Sequence, residues 1–402
     1  MSEMGQLPGI QYYLELIIKD NKLSPINIQY LVIREWIFNI LPTIEIQLID
    51  NMGLLTEMMP LEDGEDIKVI LAKHEDDENP MELTFSLSDY SVNMLGDNRR
   101  NIIAMTGYYK VPDMFTLKKR SFSRQNSARV LQTIANENKI IFSNPHNIIP
   151  ADNMTWFQSD QSNFHFIKHV LRRSYVPDDV MFFYVNSLKK FVLTSLNSEI
   201  KKQEIKKSKF NVEKYSKNVK EEDDKDDTIW YSAYNIVNAS GYFNKKYGYG
   251  FKYEYYDLEN YQKEVYSKMN RKISQLSFRN KNLVGKIVQI YCTNDIIESN
   301  IYSEKYFESV LRNNFMKTNF FANSLVLNIN ALSQVYLMDK IDLYIPSLFT
   351  EGEFNEVLSG EYIVAGVQHE VSNGGIYKKK LALGRNGMDK SSYIKQYQVE
   401  EL

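Results

Sequence analysis

SGEYIVAGVQHEVSNGGIYKKKLALGRNGMD, Ser359 to Asp389, is the stretch on which the reading of this chain turns. It reads as a β-hairpin that ends in a short, glycine-punctuated tail. On the first strand Tyr362 and Val364 share one face. Beyond Gly366 the apolar phase moves by one, to Val367 and Val371 with His369 between them. A phase slip at a glycine is the mark of a β-bulge, because one extra residue turns every later side chain to the other face. Asn373-Gly374-Gly375 supplies the positive-φ residues that a tight turn needs. The return strand sets Lys378 and Lys380 against Tyr377, Leu381 and Leu383, so one side is wet and the other packed. The hairpin reads as a structural edge that carries no chemistry.

Outward from the hairpin, Ser324 to Leu332 and Asp339 to Ile345 have the same strand texture. The other end of the chain is also built of strands. Gln11–Ile18, Gln29–Phe38, Asp66–His74, Met81–Leu87 and Asn101–Val111 are short candidates, and Thr43–Ile49 alternates Ile44, Ile46 and Leu48 against polar residues. Strands divided by turns every ten to fifteen residues predict a barrel or sandwich. With strands at both ends and helices between, the expectation is that N- and C-terminal strands share one barrel.

Between them the texture changes. Ser127–Ala135 places Val130, Leu131, Ile134 and Ala135 on one helical face, with Ser127 as N-cap. A second helix carries Phe164, Ile167, Val170 and Leu171, capped by Asp160 or Ser162, and Val180–Leu196 reads as a hairpin around Ser187-Leu188-Lys189. Lys201–Asp227 is lysine-rich and then acidic, a composition that solvates well and reads as an exposed loop or flexible insertion, with a partner-docking arm as the competing reading. Ile229–Tyr256 is dense in tyrosine and reads as a β-segment packed at an interface or barrel wall, with base stacking as the competing reading. Leu258–Met269 and Tyr306–Phe321 read as helices. These textures make the chain α+β and β-rich, with a small α+β domain and helical insertions; two similar β-barrel domains are what the family resemblance set out below implies. The expected divisions are residues 1–115 (first barrel), 116–200 (α+β), 201–228 (charged insertion), 229–322 (second barrel and helical region) and 323–402 (strands completing a barrel).

Composition narrows the function. The 402 residues are 43% hydrophobic and 25% charged, an ordinary globular balance, and the net charge of -3 argues against a dedicated nucleic-acid binder. The single cysteine, Cys292, excludes a disulfide framework within the chain and a cysteine metal cluster. The first residues lack a basic-then-apolar leader, and no run approaches the length of a membrane span, so a soluble protein made in a cytoplasm, without membrane insertion, is expected. No catalytic residue, metal ligand or cofactor site is legible. His165 and His169 have i, i+4 spacing, but Phe-Ile-Lys separates them, so the general-base glutamate of a zinc-protease helix is missing. No P-loop and no GxSxG elbow occurs, and Cys292 in KIVQIYCTN reads as a small buried hydrophobe.

Two stretches resemble one family. One is ADNMTWFQSDQSNFHFIKHVLRRSYV, Ala151 to Val176, which follows the helix Ser127–Ala135. The other is SLVLNINALSQVYLMDKIDLYIPS together with the terminal hairpin and its Arg-Asn-Gly ending. Together they resemble the central baseplate hub of contractile-tailed bacteriophages, a fold shared with the upper part of type VI secretion spike proteins. The resemblance covers about a quarter of the chain in motif form; Lys201–Asp227 and the tyrosine-rich stretch have no counterpart in it. It implies a structural, non-enzymatic homotrimer in which two barrels per chain give a ring of pseudo-sixfold symmetry. Such a ring matches a hexameric tail tube, or tube initiator, above to a trimeric spike below, with baseplate wedge proteins around it. The implied location is the virion tail, assembled in the host cytoplasm. DNA passes through the lumen without specific binding, and a neutral or acidic lumen is expected because basic groups would hold phosphates. Hub components of a tailocin or type VI-like machine, or a tail-associated cell-wall hydrolase, are the alternative readings.

Overall fold

The computed structural model describes residues 10–385 except 52, 95–99, 178, 203, 211–227, 239–250, 258–261, 269–285, 293–305, 322, 332, 351–352 and 373–375. The first strands are β1 (Ile10–Gln11), β2 (Tyr13–Ile18), β3 (Asn21–Leu23), β4 (Ile28–Trp36), β5 (Thr43–Asp50), β6 (Asp66–Ala72), β7 (Met81–Met94) and β8 (Asn101–Tyr109). The central elements are β9 (Leu117–Gln125), α1 (Ser127–Glu137), β10 (Ile141–Ser143), β11 (Met154–Ser162), α2 (Asn163–Arg173), β12 (Met181–Val185), β13 (Lys190–Ser195) and α3 (Leu196–Ile200). The remainder comprises β14 (Lys206–Phe210), β15 (Thr228–Asn238), β16 (Phe251–Asp257), β17 (Gln262–Lys268), β18 (Lys286–Cys292), α4 (Tyr306–Phe320), β19 (Asn323–Ile329), β20 (Lys340–Leu343), β21 (Gly360–Ser372) and β22 (Ile376–Arg385).

One sheet of 14 strands runs β1-β22-β19-β15-β14-β20-β21-β4-β5-β8-β7-β6-β2-β3, and an additional β21–β22 pairing closes part of it on itself. That closure makes a six-stranded barrel of β22, β19, β15, β14, β20 and β21. The first barrel is the seven-stranded arc β4-β5-β8-β7-β6-β2-β3, whose gap between β3 and β4 is spanned by the 3-10 turn Pro25–Asn27. Period-2 patterning drives the arc: Ile44, Ile46 and Leu48 of β5 point inward and are buried, as the alternation requires. They meet Leu16, Ile33, Phe85 and Met105 in a core that continues without a break into Val130 and Leu131 of α1 and Phe166 and Ile167 of α2. The second barrel has its own core of Leu325, Leu327, Ile341, Leu343, Val364 and Leu383, joined by Met316 and Phe320 of α4.

The strands at the two ends of the chain therefore share one sheet, and Val371 of β21 and Tyr377 of β22 reach the first core, but the closed six-stranded barrel holds no N-terminal strand. Two early strands pair with late ones: β1, with Ile10 opposite Tyr377, and β4, with Trp36 opposite Gly366. Two further expectations change. Lys206–Phe210, inside the charged block read as an exposed loop, is β14, a barrel strand parallel to both β15 and β20. Only Ser208 of β14 is buried, so its place is set by backbone ladders and carries no apolar alternation for the sequence to show. Residues 203 and 211–227 of that block lie outside the described residues. Within Leu258–Met269, read as helix, Gln262–Lys268 is strand β17, paired in unbroken register with β16; sheet pairing overrides the helix propensity of Gln-Lys-Glu.

The other helix readings hold, with one change of cap. Asn126, not Ser127, caps α1, its Oδ1 accepting from Arg129 N at 2.9 Å, because Ser127 is bound elsewhere: its N and Oγ both donate to buried Asp152. Ser162 caps α2, accepting from His165 N. The hairpin around Ser187–Lys189 forms as β12 and β13, and Lys189 takes a positive φ of 58° in the turn.

Candidate functional site: the seam between the barrels

Strand β21 belongs to both barrels, and the glycine in its middle is where it changes allegiance. One edge of β21 pairs with β20 over Gly360–Ile363 and with β4 over Gly366–Ser372. The opposite edge pairs with β22 from Ile363 to Ser372, with a register shift between Val364 and Gly366. The bulge read from the phase slip is thus the branch point of the sheet. The tight turn read at Asn373–Gly375 lies outside the described residues. Only glycine fits at the branch: a Cβ on Gly366 would lie 2.1 Å from Cε3 of Trp36. Ile37 N donates to Ala365 O at 3.0 Å, tying the end of β4 to the same point.

A buried polar chain crosses the seam. Tyr377 Oη lies 2.6 Å from His369 Nδ1, and His369 Nε2 lies 3.3 Å from Glu35 Oε1. Glu35 Oε2 accepts from Ser187 N at 2.7 Å. The four residues come from β22, β21, β4 and the β12–β13 turn, so one chain of hydrogen bonds ties both barrels to the α+β domain. Burial holds the His369 pKa below its usual value, against the pull of Glu35, and raises the Tyr377 phenol well above its ordinary 10. A neutral imidazole that accepts from the tyrosine hydroxyl and donates to the carboxylate satisfies all three groups. Buried in the seam, the arrangement ties β22, β21, β4 and the β12–β13 turn together. Beside it the Lys379 ammonium donates to Ser333 O at 2.9 Å, and burial pushes its pKa down to about 8. The tie forms one wall of a cleft of about 500 Å³ between the barrels, bordered also by Tyr12, Asp77 and Tyr336.

None of these residues stood out in the sequence as a site. The available signal was parity: His369 shares the buried face with Val367 and Val371, and Glu35 has the parity of Leu31 and Ile33. A histidine and a glutamate on inward faces need partners.

The residues behind the family resemblance are structural too. Trp156 is buried and donates Nε1 to Gln125 O at 2.9 Å; Gln158 is buried and accepts from Arg120 Nε at 2.8 Å. They lock β11 to β9 and set the start of α2. His165 and His169 do not converge on a common point. His165 closes the α2 cap, its Nδ1 3.0 Å from Ser162 Oγ, whereas His169 stacks on Phe166, its pKa lowered by burial and then by Arg173. Among the described residues no three His, Cys, Asp or Glu side chains gather as a metal site, and no helix is long and apolar enough to cross a membrane. Tyr231, in the tyrosine-rich stretch, is buried in the wall of the second barrel and donates to Tyr344 O at 2.7 Å.

No family model and no curated protein matches the chain. Solved structures do. A tail protein from Neisseria meningitidis MC58 superposes with a TM-score of 0.57 at 7% identity, covering 94% of this chain and 98% of its own. The 43 kDa tail protein of prophage MuSo2 from Shewanella oneidensis gives a TM-score of 0.57 at 8% identity, over 94% and 100%. The fold is that of phage tail proteins. This is the fold that the resemblance to a baseplate hub implies, with both barrels and the α+β domain included in the match. The E. coli c3393 protein, a type VI secretion component, aligns less closely, with a TM-score of 0.46 at 9% identity over 92% of this chain and 76% of its own.

Proposed function

We propose that the chain is the structural hub of a contractile phage tail. Three copies form a ring that adapts a six-subunit tube to a three-subunit spike. The carrying observation is the seam: β21 pairs with β4 and closes onto β22, so two barrels are fixed edge to edge in one sheet. A pair of barrels held in fixed relation is what a threefold assembly needs to present six similar units. The buried Tyr377–His369–Glu35–Ser187 tie supports the same reading, because it resists rotation of one barrel against the other.

The role is mechanical and has no catalytic step. The tube or its initiator stacks on one face of the ring, a separate spike protein binds the other, and wedge proteins surround it, with DNA passing through the lumen. The place of action is the virion tail, after assembly in the host cytoplasm. Light scattering on a sizing column tests the reading: a mass near three times 47.2 kDa is expected. A monomer at every concentration, with no ring forming on addition of tube or spike protein, would overturn it.

A further inference from the structure

Two apolar features of the surface have no partner among the described residues. The first is a braced turn after β20. Ser347 Oγ accepts from the amides of Phe349 and Thr350 at 3.2 and 3.3 Å, and Ser347 N donates to Glu353 O at 2.8 Å. Pro346 bridges to Phe354 beneath it. The turn is built, yet it holds Leu348 and Phe349 out in solvent, 89% and 100% exposed. Two adjacent large apolar side chains held out on a hydrogen-bonded turn make a compact apolar knob.

The second is a cavity of about 250 Å³ at one end of the first barrel, lined by Leu23, Ile28, Leu48, Leu54, Leu55 and Met58. Its wall is fixed by Asp50, whose carboxylate accepts from Leu54 N, Leu55 N and Thr56 Oγ1 at 2.8 to 3.1 Å. Met58 at its mouth is 70% exposed. An apolar protein cavity of about 150 Å³ is enough to take up benzene, so this one has room for a phenyl ring with part of a second side chain.

The two features cannot meet within one chain. The turn lies beyond Gly360, where β20 pairs with β21, and the cavity lies beyond Ser372, where β4 pairs with the other end of the same strand. The 13 residues of β21 separate them by about 40 Å at roughly 3.3 Å per residue. We infer that the Leu348–Phe349 turn of one copy seats in the Leu23–Met58 cavity of the next, a head-to-tail contact between second and first barrels. A contact of this kind joins two different surfaces, so it closes into a ring when the rotation between copies permits. The inference rests on the proposed trimer and assigns the residues that hold it.

The test uses the full chain with Cys292→Ser, so that no native thiol remains. Phe349→Cys and Met58→Cys are then introduced together and the protein oxidised. The expected result is a ladder of covalent dimer and trimer on a non-reducing gel, absent from either single-cysteine protein. In parallel, Phe349→Asp, a fully exposed site where folding is not at stake, should raise the concentration needed for the trimer at least tenfold. A wild-type trimer with no ladder and no effect of Phe349→Asp overturns this contact alone; it leaves the ring standing and gives the turn to another protein. A wild-type chain monomeric under all conditions overturns the ring and the contact together.

Discussion

The two barrels solve the same closure problem by different means. The second closes through backbone: β21 and β22 meet, and each of its six strands has a hydrogen-bonded neighbour on both sides. The first is an arc whose ends are spanned by Pro25–Asn27, and its apolar core runs on into α1 and α2. The second barrel also packs on Met316 and Phe320 of α4 and Phe182 of β12, but its sheet is closed by backbone alone. The arc borrows helices, so its stability is tied to the α+β domain. Closure by hydrogen bonds leaves few free edges, whereas closure by packing makes a larger shared core.

Large truncations should separate the two most strongly. Phe85→Ala, deep in the first barrel, is expected to cost about 3–5 kcal/mol and to weaken hydrogen-exchange protection in α1 and α2 as well as in β5–β8. Leu383→Ala in the second barrel, at about 2–5 kcal/mol, should lower protection in β19–β22 and spare α1. Equal loss everywhere from both would show one cooperative core and erase the distinction. At the branch, Gly366→Ala drives a methyl into the Trp36 ring and is expected to cost about 1–3 kcal/mol. A melting temperature unchanged by this substitution would mean that the seam is not the tight crossing described.

A smaller effect isolates the arc's borrowed helix. Asn126→Ala removes the α1 cap and should cost about 1 kcal/mol, read as lowered protection in α1 and the first barrel together. The smallest effect is that of pH on the tie. The folded pKa of His369 lies below its unfolded value of 6.5, so the unfolded chain binds the proton first. The stability it contributes is full above 6.5 and is lost as pH falls from there through the folded value. Equilibrium unfolding of wild type and His369→Gln between pH 7.5 and 4.5 should show a shallower acid slope for the variant; identical slopes would remove His369 from the pH response.

How much could be read in advance depended on whether a residue's role was local. Thr43–Ile49, the helical face of α1 and the slip at Gly366 were legible because alternation, helical spacing and glycine are local signals. β14 was not, since Lys206–Phe210 is held by parallel ladders to β15 and β20, strands far away in the chain, and shows only charge. β17 was read as a helix for another reason: the helix propensity of Gln-Lys-Glu outweighed, in the sequence, a pairing with the neighbouring strand β16. The tie was hidden because Glu35 and His369 are 334 residues apart, and nothing near either names the other. The bulge itself could be read, but its purpose as the point where one sheet feeds two barrels appears only when β20 and β4 are seen on the same edge of β21.

The account stands or falls on two fixed barrels per chain in a threefold ring. Electron microscopy of the purified protein, with class averages viewed down the particle axis, tests this most directly. Six lobes of similar size around an open centre, grouped in three pairs, are predicted. Two-lobed single chains, or a compact particle with no central channel, would contradict it.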